Sequence, residues 1–156
     1  MSAKKIIVLG AGRVGSAIAR DLSEDFEIMA VDINAEALAE LEKNFGINTQ
    51  KADVSNAATL TSLVKDYDLV IGAVPGFMGF QTVRNVIRAG KNMVDISFFP
   101  QDPFRLHEEA EKNDVSVAID CGVAPGMSNI FLGYYDEVMD VKKYKCLVGG
   151  LPKIRE

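Results

Sequence analysis

Residues 5–15 of this 156-residue chain read Lys-Ile-Ile-Val-Leu-Gly-Ala-Gly-Arg-Val-Gly. The apolar run at residues 5–9 has the length of a buried strand, and it leads directly into the pattern Gly-x-Gly-x-x-Gly. Beyond the first two glycines, Val14, Ile18 and Leu22 recur at every fourth position, which predicts the inward-facing stripe of a helix. The segment therefore predicts a strand, a tight turn and a helix, in that order.

The rest of the chain repeats this alternation of strand and helix. Apolar runs predict further strands at residues 26–31, 47–51, 69–74, 93–96 and 115–119. Helical periodicity predicts the intervening helices, at about residues 34–45, 57–64, 80–90 and 102–113. Strands that alternate with helices form a parallel sheet covered on both faces. We therefore predict an α/β, doubly wound Rossmann fold with strand order 3-2-1-4-5-6.

Local signals mark the ends of two of these helices. Asn34 is predicted to cap the second helix, Phe45 to lie on its apolar face, and Gly46 to end it in a left-handed conformation. Asp102-Pro103 predicts the start of a later helix, because proline at the first helical position loses no hydrogen bond.

The sheet is predicted to close near residue 121, which divides the chain into a domain at residues 1–121 and a remainder at residues 122–156. The remainder contains a predicted helix at residues 128–135 and an alternating segment at residues 144–148 that is typical of a strand. A lone strand cannot satisfy its own backbone groups, so we expect it to pair with the sheet edge, another subunit or further residues. We interpret the remainder as a short piece of a second α+β domain.

Composition excludes several classes of function. The formal net charge is −5, which disfavours binding to nucleic acid or to an anionic membrane surface. No run approaches the ~18 apolar residues that span a bilayer. The two cysteines lack metal-type spacing, so we expect no metal site and a reducing, cytoplasmic location. The single histidine, His107, is expected on a charged, solvated helix face.

The residues around the glycine pattern indicate a dinucleotide-binding turn. In a strand–turn–helix unit, Gly10 permits the tight turn, Gly12 lets the backbone approach a pyrophosphate, and Gly15 lets the helix pack against the sheet. The pyrophosphate would meet the positive end of the helix. The acid Asp32 ends the second predicted strand, as expected for a residue that binds the adenosine ribose. The remaining loop residues predicted to contact the cofactor are Ala11, Arg13, Val14 and Ile33.

Asp32 also bears on which dinucleotide is bound. Its carboxylate would accept hydrogen bonds from ribose hydroxyls but would repel a 2′-phosphate. The following residues, Ile33 and Asn34, provide no cation for such a phosphate. We therefore predict NAD as the cofactor, in preference to NADP. Asp32 could also cap the following helix, and the two roles are compatible.

Two further segments are predicted to line the cofactor. Asp53 follows the third strand, where its carboxylate would accept from an adenine amino group while Val54 covers the ring. Alternatively, Asp53 caps the helix that begins near Asn56. Ala73, Val74, Pro75 and Gly76 end the fourth strand beside the topological switch point, where small residues let a cofactor lie against the backbone.

Three residues are candidates for catalysis. Asp95 and Asp120 fall at the carboxyl ends of strands, where either acid could face the reacting group and orient or deprotonate a substrate amine. Each could equally be a turn residue. Cys121 would be a nucleophile only with a depressed pKa, and otherwise is a small packing residue.

The glycine loop, Gly72-Ala73-Val74-Pro75-Gly76, Val94-Asp95-Ile96-Ser97 and the segment Asp-Cys-Gly-Val-Ala-Pro-Gly-Met-Ser-Asn at residues 120–129 together resemble the amino-terminal half of the saccharopine dehydrogenase family, especially its lysine 6-dehydrogenase-like members. The resemblance extends from Lys4 to about Lys153, and residues 147–152 are similar to the place where that family begins its substrate and oligomerisation domain. It implies NAD(P)-dependent oxidation of an amino-acid carbon–nitrogen bond, with hydride transfer to the nicotinamide and hydrolysis of the resulting imine. It also implies that Asp95 and residues 120–123 approach the nicotinamide.

Family members continue beyond this length, so the resemblance implies a truncated amino-terminal half that binds NAD and is incomplete for catalysis. We expect its small-molecule amino-acid substrate only when the other half is supplied, and homo-oligomers formed through residues 126–151. Two alternatives remain at this point. One is a regulatory NAD sensor domain like those of potassium transporters, and the other is an interaction module that has lost cofactor binding.

Overall fold

Strands and helices alternate along residues 4–149, the part of the chain that the computed structural model describes. The strands are β1 (Lys5–Leu9), β2 (Glu27–Asp32), β3 (Asn48–Lys51), β4 (Leu69–Gly72), β5 (Met93–Asp95) and β6 (Val117–Ala118). The helices are α1 (Arg13–Leu22), α2 (Ala35–Phe45), α3 (Ala57–Val64), α4 (Gly76–Arg88), α5 (His107–Lys112) and α6 (Met127–Val138), and a 3₁₀ helix at Pro103–Leu106 precedes α5.

The six strands form one parallel sheet in the order β3-β2-β1-β4-β5-β6. This confirms the predicted doubly wound Rossmann fold. Parallel strands are buried on both faces, so their sequences are nearly continuous apolar runs. Two apolar clusters form accordingly: one contains Ile7 and Leu9 of β1, and the other contains Ile6 and Val8.

The predicted helix ends are confirmed at Asn34 and Gly46. The Asn34 side chain accepts hydrogen bonds from the backbone N–H groups of Glu36 and Ala37. Gly46 has φ +65°, the left-handed conformation expected after a helix. Asp102 caps the next predicted start by accepting from the Phe104 N–H, but the first turn there is a 3₁₀ helix.

Two apolar side chains predicted to face inward do not. Val14 is 57 % exposed, while Gly15 and Ala19 are the buried residues of α1. Small residues let this helix approach the sheet closely, which turns Val14 towards the carboxyl edge instead of the core. Phe45 is 46 % exposed, and its ring lies 5.4 Å from the Arg20 guanidinium carbon.

The strand predicted at residues 144–148 is absent, since these residues have no regular secondary structure. They do not pair with β6, and an unpaired strand leaves its backbone groups without partners. Helix α6 forms as predicted, but none of its residues is buried. The division of the chain at residue 121 stays a prediction. The predicted tail similarity at residues 147–152 and the end of the predicted association segment lie partly outside the described residues.

Across residues 4–149, no helix combines the length and the apolarity that crossing a membrane requires.

Candidate dinucleotide-binding cleft

A cleft of about 910 Å³ runs along the carboxyl edge of the sheet, where α/β proteins of this topology bind ligands. Every residue predicted to bind the cofactor lines it except Ala11, whose buried position lies behind the loop. The lining also includes residues that the sequence patterns did not indicate: Ala52, Ser55, Phe77, Met78, Ile96, Ser97 and Phe98. Their position directly after strands β3, β4 and β5 was the available signal.

The glycine loop is shaped by close backbone contacts. Gly10 has φ +104°, and a Cβ there would lie 2.5 Å from the Ala73 carbonyl oxygen. A Cβ at Gly15 would lie 2.0 Å from the Gly10 carbonyl oxygen. By contrast, no heavy atom lies within 4 Å of a Cβ built at Gly12. Gly10 and Gly15 are therefore required by the protein's own packing, whereas Gly12 keeps the backbone open towards the cleft.

Helices α1 and α4 both begin at the cleft. Gly12 precedes α1 and Pro75 precedes α4, and neither residue caps its helix with a side chain. Neither helix has an acid in its first turn. Free N–H groups at a helix start attract anions, so this edge of the cleft suits a diphosphate.

Asp32 joins the end of β2 to the glycine loop. Its Oδ2 accepts a hydrogen bond from the Ala11 N–H at 2.6 Å, and its Oδ1 accepts from the Asn34 N–H at 2.8 Å. A carboxylate has about four lone-pair positions, so capacity for further hydrogen bonds remains on the side that lines the cleft. The group is fixed in place before any ligand arrives, which reduces the entropy that binding would cost.

The sheet also places a cation, Lys51, beside Asp32. The two residues are far apart in sequence, so the sequence patterns did not indicate this proximity. Lys51 is the register partner of Asp32 on β3, and its side chain is exposed. Paired residues of parallel strands project to the same face. Lys51 is therefore a candidate counter-charge for a ribose phosphate, a possibility that the residues next to Asp32 in sequence did not offer.

Asp53 and Val54 line the cleft after β3, the edge strand of the sheet on the side of β2. The Asp53 carboxylate accepts from the Ser55 N–H at 2.9 Å, and hydrogen bonds from Ser55 hold the pKa of this carboxyl group below its usual range. The alternative prediction, that Asp53 caps α3, is wrong, because Asn56 provides that cap by accepting from the Thr59 N–H. Val54 is buried in the core and also lines the cleft.

The candidate catalytic acid Asp95 does not line the cleft. It is fully buried, with 0 % of its surface exposed, and its Oδ2 accepts hydrogen bonds from the Ser97 N–H and Oγ at 3.1 and 2.5 Å. Among residues 4–149, its Oδ1 has no hydrogen-bond partner. Burial raises the pKa of Asp95 to about 6, against the opposing effect of the Ser97 hydrogen bonds. Its catalytic role stays a prediction.

Asp120 and Cys121 follow β6. Asp120 has φ +55° and lines a smaller cavity of about 380 Å³, which shares Ile96 and Phe98 with the cleft. Burial, together with the carboxylates of Asp95 and Asp120, raises the pKa of the Cys121 thiol. A thiol with a raised pKa is a poor nucleophile, so the packing alternative for Cys121 is favoured.

A separate cavity of about 460 Å³ lies between α4, α5 and β6. Its lining includes Val83, Ile87, Phe104 and Val117, and none of the residues predicted to bind cofactor. No glycine is among the residues that line this cavity, and neither α1 nor α4 begins at it. The larger cleft is therefore the candidate site, because its groups match a dinucleotide in type and order: an acid that accepts from a ribose, an open backbone and helix start for a diphosphate, and an apolar wall beyond.

Comparison with known proteins agrees with this geometry. The family model described as saccharopine dehydrogenase NADP binding domain matches residues 6–118. Mouse mitochondrial alpha-aminoadipic semialdehyde synthase is 28 % identical over 96 % of this chain. Saccharopine dehydrogenase [NADP(+), L-glutamate-forming] from Saccharomyces cerevisiae is 26 % identical, also over 96 % of this chain.

A solved structure shows the same fold. Apo saccharopine dehydrogenase (L-Glu forming) from Saccharomyces cerevisiae superposes with a TM-score of 0.76 at 24 % identity, over 86 % of this chain and 31 % of that one. The chain spans 17 % and 35 % of the length of the mouse and yeast relatives named above. What it shares with them is therefore the nucleotide-binding region and not the whole of either protein.

Proposed function

Because the chain belongs to the family of the saccharopine dehydrogenase NADP-binding domain, we propose that it binds NAD in the cleft as the cofactor-binding half of an amino-acid oxidoreductase that acts on CH–NH groups. The observation that carries the proposal is the coupling of Asp32 to Ala11, which fixes a ribose acceptor next to an open glycine backbone. When bound, NAD supplies a hydride acceptor.

Different residues of this chain contact each part of the dinucleotide. Asp32 holds the adenosine ribose, and Asp53 with Val54 bounds the adenine. The backbone at Gly12 and the α1 N-terminus meet the diphosphate, with Arg13 as a nearby cation that lines the cleft. Ala73, Val74 and Pro75 lead towards the nicotinamide half, where Phe77 and Phe98, which are 85 % and 72 % exposed, offer apolar surface to the ring.

NAD is favoured over NADP by the charge of Asp32, which would lie against a 2′-phosphate. The name of the yeast relative and the family description both specify NADP, and Lys51 supplies a cation beside Asp32. Asp32 has the larger effect on this preference because it is fixed by two hydrogen bonds, whereas Lys51 is an exposed side chain that binding would have to order.

Calorimetric titration of the chain with NAD, NADH and NADP tests the proposal. We expect NAD to bind more tightly than NADP. Binding of neither dinucleotide would overturn the proposal, and tighter binding of NADP would overturn the cofactor preference alone. Reduction of bound NAD on adding lysine or a related diamino acid would support the oxidoreductase. Binding without reduction, even when a second domain from a relative is supplied, would favour the sensor alternative.

A further inference from the structure

The buried carboxyl group of Asp95 is joined to the chain that follows it. Both hydrogen bonds to its Oδ2 come from Ser97, one from the backbone and one from the hydroxyl. Its backbone carbonyl accepts from the Cys121 N–H at 3.0 Å, so the loop after β6 is also tied to this residue. No part of the Asp95 side chain reaches solvent or the cleft.

The segment after β5, residues 96–99, is held closely against α4. A Cβ at Gly76 would lie 2.0 Å from the Phe98 carbonyl oxygen, and a Cβ at Gly79 would lie 2.2 Å from the Ser97 Oγ. Glycines at both positions therefore let the segment contact the first turns of the helix. The Ile96 N–H donates to the Gly72 carbonyl oxygen at 3.0 Å, which completes its attachment to β4.

The same segment forms a wall of the cleft. Ile96, Ser97 and Phe98 line the cleft, and Ile96 and Phe98 also line the smaller cavity beside it. The adenosine half of a dinucleotide belongs with Asp32 on β2, so the wall beyond β4 faces the nicotinamide half. The position of this wall decides how the nicotinamide ring is seated.

We propose that Asp95 is a positioning residue, whose buried carboxyl group holds residues 96–98 as the wall against which the nicotinamide lies. The inference rests on the proposed dinucleotide binding, and it gives Asp95 a role that needs no contact with cofactor or substrate. Asp95 acts as a hydrogen-bond acceptor for Ser97, and its charge is not required.

The acceptor role has a physical basis. Residues 96–98 lie outside β5, so no ladder of strand hydrogen bonds fixes them beyond the Ile96 N–H. Without the Asp95 acceptor, the Ser97 N–H and hydroxyl would be left unpaired in a buried site, which is costly enough to make the segment rearrange. A shift of the wall would weaken contacts with the nicotinamide while leaving those with ADP-ribose intact.

Binding of NAD compared with binding of ADP-ribose, which lacks the nicotinamide, tests this role. In the unaltered chain we expect NAD to bind more tightly than ADP-ribose. Asp95→Ala should reduce that preference by about five- to tenfold, the effect of losing one or two hydrogen bonds, while the affinity for ADP-ribose stays unchanged. Asp95→Asn should restore the preference, because its amide oxygen accepts from Ser97. Ser97→Ala should reduce it in part, and serves if Asp95→Ala fails to fold.

A core control separates positioning from stability. Val86→Ala removes buried volume from α4 two helical turns beyond Gly79, and should lower the unfolding temperature while keeping the NAD preference. The inference is overturned if Asp95→Ala keeps the preference, if Asp95→Asn loses it as Asp95→Ala does, or if the unaltered chain binds both ligands equally. Failure of the unaltered chain to bind either ligand would instead overturn the proposed function.

Discussion

The Asp32 Oδ2 accepts a hydrogen bond from the Ala11 N–H at 2.6 Å, across 21 residues of sequence. This bond connects the two parts of the cleft that sequence patterns identify separately, the glycine loop and the acid at the end of β2. Each part thereby depends on the other for its position.

Removing this carboxylate should weaken NAD binding. We expect Asp32→Ala to cost about 1–3 kcal/mol of binding free energy, the scale of charge-assisted hydrogen bonds. The same change should weaken NADP binding less, since it also removes the repulsion between the Asp32 carboxylate and the 2′-phosphate. Lys51→Ala should lower the affinity for NADP and leave the affinity for NAD unchanged. Calorimetry with both dinucleotides gives the measurement, and Asp25→Ala, an exposed acid at the opposite edge of the sheet, is the matched control. An unchanged NAD affinity in Asp32→Ala would remove this residue from the site.

Substitutions at Gly12 and Gly15 should differ in their effect on stability. A Cβ at Gly12 meets nothing in the protein, so Gly12→Ala should keep the unfolding temperature while NAD affinity falls at least about tenfold. Gly15→Ala should lower both quantities, because its Cβ would collide with the Gly10 carbonyl. Differential scanning calorimetry and titration of both variants distinguish the cases. Full NAD affinity in Gly12→Ala would contradict the predicted approach of the diphosphate.

The pKa of Asp95, raised to about 6, should make stability depend on pH. An unfolded aspartate titrates near 3.9, so the folded chain binds the proton more tightly than the unfolded chain does. Its contribution is therefore fully present below that value and is lost as the pH rises through about 6, an effect of about 3 kcal/mol. Because pH 4.5 is already above the unfolded value, urea unfolding at pH 4.5 and pH 7 should show about 2 kcal/mol of this difference relative to Asp95→Asn, whose side chain does not titrate. Identical pH dependence in the two proteins would show that Asp95 has no raised pKa.

Cys121 should react slowly with thiol reagents. Its pKa is raised by burial and by neighbouring carboxylates, whereas Cys146 is exposed. Iodoacetamide at pH 8, followed by peptide mass spectrometry, should label Cys146 first, and Cys146→Ser should show slow labelling overall. Rapid labelling of Cys121 would restore it as a candidate nucleophile.

Helix α6 should mediate self-association, as proposed for residues 126–151. Ile130, Phe131 and Tyr134 are 62 %, 51 % and 64 % exposed, and contiguous apolar surface of this kind typically marks an interface. Light scattering should give a mass of at least two chains, and Ile130→Asp should reduce it to the 16.9 kDa of one chain. Thr61→Asp, which adds the same charge at an exposed position of α3, should have no effect. A mass of one chain for the unaltered protein would contradict the prediction.

The strand order and most of the cleft lining followed from short-range patterns. Glycines, apolar runs and caps act through backbone geometry and local hydrogen bonds, which adjacent residues specify. The sequence patterns gave wrong predictions where tertiary packing competed with the local preference of the residues. Val14 has the spacing of a core residue, yet the close approach of α1 to the sheet leaves it at the edge of the cleft. The segment at residues 144–148 has the alternation of a strand but no partner to pair with.

The sequence by itself determined the topology and the place of a glycine turn and an acid at one edge of the sheet, because crossover handedness and strand periodicity leave few arrangements. Only the tertiary structure decided which acids meet that edge. It buried Asp95 behind residues 96–98, placed Lys51 beside Asp32, and gave Cys121 an environment that disfavours its thiolate. Those outcomes depend on side-chain direction and on contacts between residues distant in sequence, which no local pattern encodes.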